Sequence, residues 1–339
     1  MKQIDTVNAV GHVLAHDLTQ IIPGQYKGAR FRKGHIVRQE DIPVLLSMGK
    51  EHLYILELEE GMLHENDAAL RLAALCQGAN MRQSPVKEGK IELTAEIDGL
   101  LRVDSARLLA VNEIDELMIA TRRGNTAVKQ GDKLCGTRVI PLVIREEKLR
   151  RAEQAVGDKP ILELLPFRLR TAAIVTTGSE VASGRIEDRF TPVLVDKLAA
   201  FGIRVIFHET VGDGLETICA AIARARTAKP DLILCTGGMS VDPDDNTPGA
   251  IAKSGAGIVT YGAPVLPGAM LLVGYYDDGT PVLGLPGCVM YAKATVFDLV
   301  LPRLAAGVRL ERRDLTVLGE GGLCLGCEVC HYPVCPFGK

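Results

Sequence analysis

Between Thr171 and Gly307 the chain alternates short apolar runs with stretches of helical period, and nothing else in it restricts the fold so strongly. Runs too short to be helices, each followed by a loop and then a 3.6-residue repeat, belong to a parallel sheet wound with crossover helices. The expected strands are 172–176 (AAIVT), 203–207 (IRVIF), 232–235 (LILC) and 282–285 (VLGL). The first helix carries its own punctuation: Thr191 suits the cap, Pro192 the first helical position, and Leu194, Leu198 and Phe201 share one face before Gly202 closes it. Thr247-Pro248 repeats the start signal, and a last, mostly apolar helix is expected over 289–306 around Pro302.

Upstream the texture changes. Residues 91–144 alternate apolar and polar positions and are broken by Asp-Gly, Gly-Asn and Gly-Asp turns, which predicts a small, largely antiparallel β region. A charged helix over 145–156, with Leu149, Ala152 and Val156 on its inner face, is expected to lead into the α/β part. His64-Glu65-Asn66-Asp67 reads as the acidic first turn of another helix. The expected division is a small mixed domain at 1–62, a β-rich region with its linker helix at 63–168, an α/β domain at 169–309 and a cysteine-rich tail at 310–339. A chain of 339 residues, 47% hydrophobic, has the material for two or three cores. Its 39 Lys+Arg against 42 Asp+Glu give no electrostatic case for nucleic acid. The absence of both a ~20-residue apolar run and a signal-peptide h-region leads us to expect no membrane span and a cytoplasmic location.

In an open parallel sheet, ligands bind beyond the carboxyl ends of the strands. The loops there are Thr177-Gly178-Ser179-Glu180, Val211-Gly212-Asp213-Gly214, Thr236-Gly237-Gly238-Met239-Ser240 and Pro286-Gly287-Cys288. Glycines let backbone N–H groups approach a phosphate, and Thr236 and Ser240 add hydroxyls. Asp242, Asp244 and Asp245 have the wrong charge for phosphate but suit a hard cation such as Mg²⁺, which is held by one or two carboxylates together with substrate phosphates.

With the downstream Asp-Pro-Asp-Asp-x-Thr-Pro and Gly284-Leu285-Pro286-Gly287, these loops resemble the signatures of the molybdopterin-binding domain family over about residues 169–309. The β-rich region ending GTRVIPL and residues 10–18 are more loosely similar to the N-terminal domains of molybdopterin molybdenumtransferases. The resemblance implies an α/β, Rossmann-like three-layer domain that binds molybdopterin or its adenylylated form and inserts molybdate with Mg²⁺ assistance. It matches Thr177, Gly178, Gly237, Gly238, Ser240, Pro286 and Gly287 to the family's pterin loops, and on position and chemistry Ser179, Asp213 and Thr236 are expected to join them. Glu180 and Asp245 become the catalytic pair, and Asp242, Asp244 and Asp245 the metal carboxylates. A homodimer and a molybdoenzyme client are expected partners.

The chain departs from the transferase pattern at Ser179 (normally Asp), Cys288 (normally Asn), Phe190 (normally Asn) and Ala269 (normally Lys). Two further readings therefore stand beside the transferase: a non-catalytic carrier or insertion chaperone for finished cofactor, and an adenylyltransferase on the same fold. Cys288, after Pro-Gly at an expected helix start, reads either as a thiol activated by the dipole or as a small residue under a turn. The basic stretch 25–35 reads either as a phosphate-attracting patch or as a solvated loop. At the end of the chain, Cys324, Cys327, Cys330 and Cys335 follow the spacing C-x2-C-x2-C-x4-C-P, one residue from a bacterial ferredoxin run. Four thiolates so spaced suit Zn²⁺ or an iron–sulfur cluster, with His331 a substitute ligand.

Overall fold

The computed structural model describes residues 2–22, 26–56, 60–240, 242–243 and 245–338. They form two compact units, one of Met1–Glu96, Val103–Arg122 and Gly131–Glu163, the other of Ile97–Arg102, Arg123–Gln130 and Leu164–Lys339.

In the first unit, strands Leu117–Thr121, Lys133–Val139, Lys90–Ala95 and Met81–Gln83 lie side by side in that order, all antiparallel. Helix Glu65–Cys76 packs against the two central strands and buries Ala69, Leu72 and Ala73. Its N-cap is His64, whose Nδ1 accepts the Asn66 N–H at 3.2 Å while its Nε2 lies 2.8 Å from the Gly34 carbonyl. The charged helix runs Glu146–Val156 and buries Leu149, Ala152 and Val156. Arg71 on the neighbouring helix reaches Glu146 at 2.8 Å and forks onto Glu153 at 2.7 and 2.8 Å. A separate three-stranded sheet, Lys2–Asp5, His52–Leu56 and Val13–Leu14, closes over Leu14, Leu45, Leu53 and Ile55.

The second unit is a mixed α/β structure around one six-stranded sheet. Between Thr171 and Ala305 its strands and α-helices are β1 (Thr171–Thr177), α1 (Ser179–Ala182), α2 (Phe190–Ala199), β2 (Arg204–Val211), α3 (Leu215–Thr227), β3 (Leu232–Thr236), α4 (Thr247–Lys253), β4 (Gly257–Tyr261), β5 (Leu272–Tyr275), β6 (Pro281–Leu285) and α5 (Val296–Ala305). The strand order is β2-β1-β3-β6-β5-β4. The first four are parallel, and β5 and β4 add antiparallel at the edge. The period-two alternation sorts the side chains to opposite faces. Ala172, Ile174, Leu232, Leu234, Leu283 and Leu285 pack with Leu194 and Leu198 of α2 and with Phe297, Val300 and Leu304 of α5. Ala173, Val175, Ile233, Cys235 and Val282 pack with Ile218, Ala221 and Ile222 of α3 and with Ala250 and Ile251 of α4.

Three local expectations are corrected. Strands β4 and β5 were not anticipated, because Pro264 and Pro267 interrupt the apolar pattern between them. The last helix begins at Val296 rather than 289, since Thr295 and Asp298 form a capping box there, with Thr295 N–H donating to Asp298 Oδ2 at 2.8 Å. Helix α2 starts at Phe190 with Arg189 as its N-cap, not at Thr191-Pro192, and Asp188 just before the cap accepts the Phe190 and Thr191 N–H groups on Oδ1 at 2.9 and 3.1 Å. Among the described residues no helix is long and apolar enough to cross a membrane.

Candidate binding site at the carboxyl edge of the sheet

The parallel strands β1, β2, β3 and β6 deliver their loops to one edge. After β1 the chain turns at Gly178, whose φ of +142° belongs to a region that residues with a Cβ avoid. The turn is tied to the loop after β2. Gly178 N–H donates to Val211 O at 3.0 Å, Ser179 N–H donates to Asp213 Oδ2 at 2.8 Å, and Asp213 N–H lies 3.4 Å from Ser179 Oγ. The Asp213 carbonyl in turn accepts Asn246 Nδ2 at 2.9 Å, so one aspartate links the loops after β1, β2 and β3.

The loop after β3 is built from two consecutive left-handed glycines, Gly237 (φ +83°) and Gly238 (φ +53°). A Cβ on Gly237 would lie 2.2 Å from the Thr177 carbonyl oxygen, and one on Gly238 would lie 3.1 Å from Thr247 Oγ1 and 3.6 Å from Asp245 Oδ1. The floor beneath is hydroxylic: Thr177 and Thr247, both buried, meet Oγ1 to Oγ1 at 3.2 Å. Thr236 Oγ1 is buried with no hydrogen-bond partner among the described residues. Asp245 holds its own loop, its Oδ2 accepting Asp242 N–H at 3.1 Å and its N–H donating to Asp242 O at 2.9 Å. Tyr261 on β4 pins the far end, donating its hydroxyl to Met239 O at 2.7 Å and reaching Ser240 O at 3.2 Å. Burial, and then the negative charge of Asp245, push the Tyr261 phenol up, which keeps it protonated for that role. Met239 itself is buried against Gly284 of β6, where a Cβ would lie 2.5 Å from its sulfur.

After β6, Pro286 O accepts Val289 N–H at 3.1 Å, and Gly287 has open space where a side chain would be. The segment is a single 3₁₀ turn, Gly287–Met290, rather than a helix start. Of the two readings of Cys288, the small residue under a turn is the one this geometry favours: burial, together with the charge of Asp298, pushes its thiol up despite the pull of a backbone N–H.

Of the expected site residues, Thr177, Gly178, Ser179, Asp213, Gly237, Gly238 and Asp245 are joined by these contacts. Glu180 on α1, Ser240 and Asp242 are exposed at the same edge. Asp244, like Gln25 of the basic stretch, lies outside the described residues. Among the described residues no group of three or more His, Cys, Asp and Glu side chains is already gathered as a metal cage.

One constellation escaped the sequence reading. Thr176, in register with Thr236 across β1 and β3, lies 3.2 Å from His208 Nε2 on β2. Thr191 Oγ1 lies 3.0 Å from the same nitrogen and donates to Asp188 Oδ2 at 2.6 Å. Burial alone would raise the Asp188 carboxyl, but the Thr191 hydroxyl, the Thr191 and Phe190 N–H groups and the nearby His208 together hold it below the usual carboxylate range. Asp188 three residues ahead of Thr191-Pro192 was a visible signal for the helix start. Nothing in the linear sequence brings His208 to it, because that depends on the β1–β2 register. A cavity of about 950 Å³ opens at the opposite edge of the sheet beside Asp231, Gly279 and Pro281, away from these loops.

Residues 173–306 match the family described as a probable molybdopterin binding domain. Residues 3–57 match a domain of unknown function (DUF8806). Among curated relatives, a CinA-like protein of Desulfosudis oleivorans is 41% identical over 83 residues, 24% of this chain and 20% of that protein. A CinA-like protein of Thermotoga neapolitana is 40% identical over 86 residues, 25% of this chain and 21% of its own length. The chain thus spans about a fifth of the length of the curated relatives it matches. Among solved structures, the protein CinA of Thermoplasma acidophilum, described as of unknown function, aligns at 19% identity over 40% of this chain and 98% of its own, with a TM-score of 0.35. The molybdopterin biosynthesis enzyme MoaB of Thermus thermophilus aligns at 23% identity over 41% of this chain and 98% of its own, with a TM-score of 0.34. The molybdopterin-binding match begins inside β1 and ends just past α5, so it contains every loop of the edge described above.

Proposed function

We propose that the protein acts in molybdenum cofactor assembly: its Rossmann-like, three-layer domain binds molybdopterin, or the adenylylated form, at this edge and inserts molybdate with Mg²⁺ assistance. The observation that carries the reading is the Gly237-Gly238 turn, which packs directly onto the Thr177 carbonyl and the Thr177–Thr247 hydroxyl pair because neither glycine has a Cβ, with Asp245 beside it. Glycines in such a turn let backbone N–H groups come close to a phosphate oxygen. Ser240 adds a donor at its exit, while Asp213 fixes the first loop so that the Ser179 hydroxyl and the Glu180 carboxylate stay near the same ligand.

The acidic side of the turn fits a divalent cation. Asp245 commits Oδ2 to its own loop and turns Oδ1 toward Gly238, Asp242 is exposed beside it, and Glu180 is exposed after β1. Mg²⁺ held there by Asp245 with Glu180 or Asp242 would neutralise phosphate and molybdate charge. The protein's own contribution is to orient the pterin phosphate and hold the carboxylates beside it. In the same reading it works as a homodimer and passes its product to a molybdoenzyme client.

A second reading, a carrier that holds finished cofactor without turnover, is favoured by Ser179, Cys288 and Ala269, which replace a carboxylate, an amide and a lysine of the transferase pattern. Incubation with adenylylated molybdopterin, Mg²⁺ and molybdate separates the two. Molybdate-dependent AMP release supports the transferase, binding without release supports the carrier, and AMP transfer from ATP to free pterin would instead indicate an adenylyltransferase.

A further inference from the structure

The cysteine tail carries a second site, independent of the pterin edge. Cys324, Cys327, Cys330 and Cys335 all line one cavity of about 260 Å³, walled on its other side by Pro267 and Lys293. All four are free thiols; Cys324 and Cys335 are half-buried, whereas Cys327 and Cys330 are exposed at the mouth.

The run is anchored at both ends. Leu266 N–H donates to Gly322 O and Cys324 N–H donates to Leu266 O, each at 2.8 Å, which stitches its start to the segment before Pro267. At its end Phe337 is buried in the core of the second unit, and Gly338 N–H donates to Gly321 O at 2.8 Å. Near that end Tyr332 donates its hydroxyl to Asp298 O at 2.9 Å. Between these anchors residues 324–336 form neither helix nor strand.

Hydrophobic burial orders the two ends of this loop, where Cys324, Tyr332 and Cys335 pack against the core, but not its middle. Leu325, Val329 and Val334 are 70%, 65% and 82% exposed, while the cysteines border the common cavity. The middle of the loop, which turns Leu325 and Val329 to solvent while its thiols border one space, needs another source of order, and in small cysteine-rich segments a metal supplies it. A lone thiol or an acidic cluster would say little. The four thiols line one cavity without being drawn together around one point, and their softness and sequence spacing suit a soft or borderline metal that would gather them.

We propose that Cys324, Cys327, Cys330 and Cys335 form a four-thiolate metal centre, occupied by Zn²⁺ or by an iron–sulfur cluster, that orders the tail against the second unit. Cys324 and Cys335 are the fixed pair. Cys327 and Cys330 close inward on Gly326, whose φ of +64° marks the turning point of the loop. Each ligating cysteine gives its thiol proton to solvent as the metal binds, and Lys293 in the cavity wall offsets part of the resulting negative charge.

The test uses the full chain, purified without oxygen. Zinc, iron and acid-labile sulfide are measured per chain, and the rate at which the thiols react with a maleimide is followed before and after chelation. One zinc without sulfide, or iron with matching sulfide and a visible absorption band, is the expected result in its two forms; in either, the tail thiols are protected until the metal is removed. The C327S/C330S double variant changes exposed residues only, so it should fold, lose the bound metal and expose the remaining tail thiols. The proposal is overturned if the protein takes up neither Zn²⁺ nor iron with sulfide, or if the double variant retains the wild-type metal content.

Discussion

The backbone N–H of Ser179 and the carboxylate of Asp213 meet at 2.8 Å although 34 residues separate them, and this bond joins the loop after β1 to the loop after β2. Asp213 also receives Asn246 from the third loop through its carbonyl, so the edge is organised around one acceptor-rich residue. Replacing Asp213 with Ala should cost about 1–2 kcal/mol of stability, as expected for a lost charge-assisted bond. It should weaken pterin binding more than overall fold stability. Chemical denaturation and calorimetric titration on the same variant measure the two effects.

Gly237 and Gly287 separate close packing from open space. G237A forces a Cβ to within 2.2 Å of the Thr177 carbonyl at a φ of +83°, and should destabilise the protein by about 2 kcal/mol or more while abolishing pterin binding. G287A meets no atom within 4 Å and should leave stability within about 0.5 kcal/mol of wild type. Thermal unfolding of the pair reads the contrast.

The Thr177–Thr247 hydroxyl pair calls for a double-mutant cycle. T247V leaves the buried Thr177 hydroxyl short of a partner and should cost about 1–2 kcal/mol, whereas T177V/T247V should cost less than the sum of the two single changes. Additive losses in urea denaturation would mean that the two hydroxyls do not support each other.

Asp188 gives helix α2 a pH dependence. Its carboxyl is depressed in the folded state, so the stability it contributes is fully present above the unfolded aspartate value of about 3.9 and fades as pH falls through the lower folded value. D188N should be less stable than wild type by about 1 kcal/mol at neutral pH, and the gap should narrow at an acid pH below about 3.9. Denaturant midpoints at the two pH values test the sign: a gap that widens in acid would contradict it.

The sequence was most readable where one periodicity ruled. The four parallel strands, the inner face of the helix Glu146–Val156 and the glycine loops are local patterns, and local physics sets them. Strands β4 and β5 were hidden because they pair antiparallel at an edge, on either side of a proline-broken loop. The start of α5 was misplaced because the apolar run continues through a 3₁₀ turn, and only the reciprocal bonds of Thr295 and Asp298 mark where the helix begins. His208 beside Thr176, Asp188 and Thr191 depends on strand register, which a single sequence does not encode locally. The links from Asp213 to Ser179 and Asn246 are of the same kind: each residue was visible, the geometry between them was not.

The most direct measurement is a calorimetric titration of molybdopterin into the full-length protein with Mg²⁺ present, repeated with D245A and with G237A. The expected result is saturable binding of one pterin per chain, weakened at least about tenfold, or about 1.4 kcal/mol, by D245A and lost in G237A. Heat of binding that neither substitution changes, or no heat in the unaltered protein, would contradict a pterin site at the carboxyl edge of this sheet.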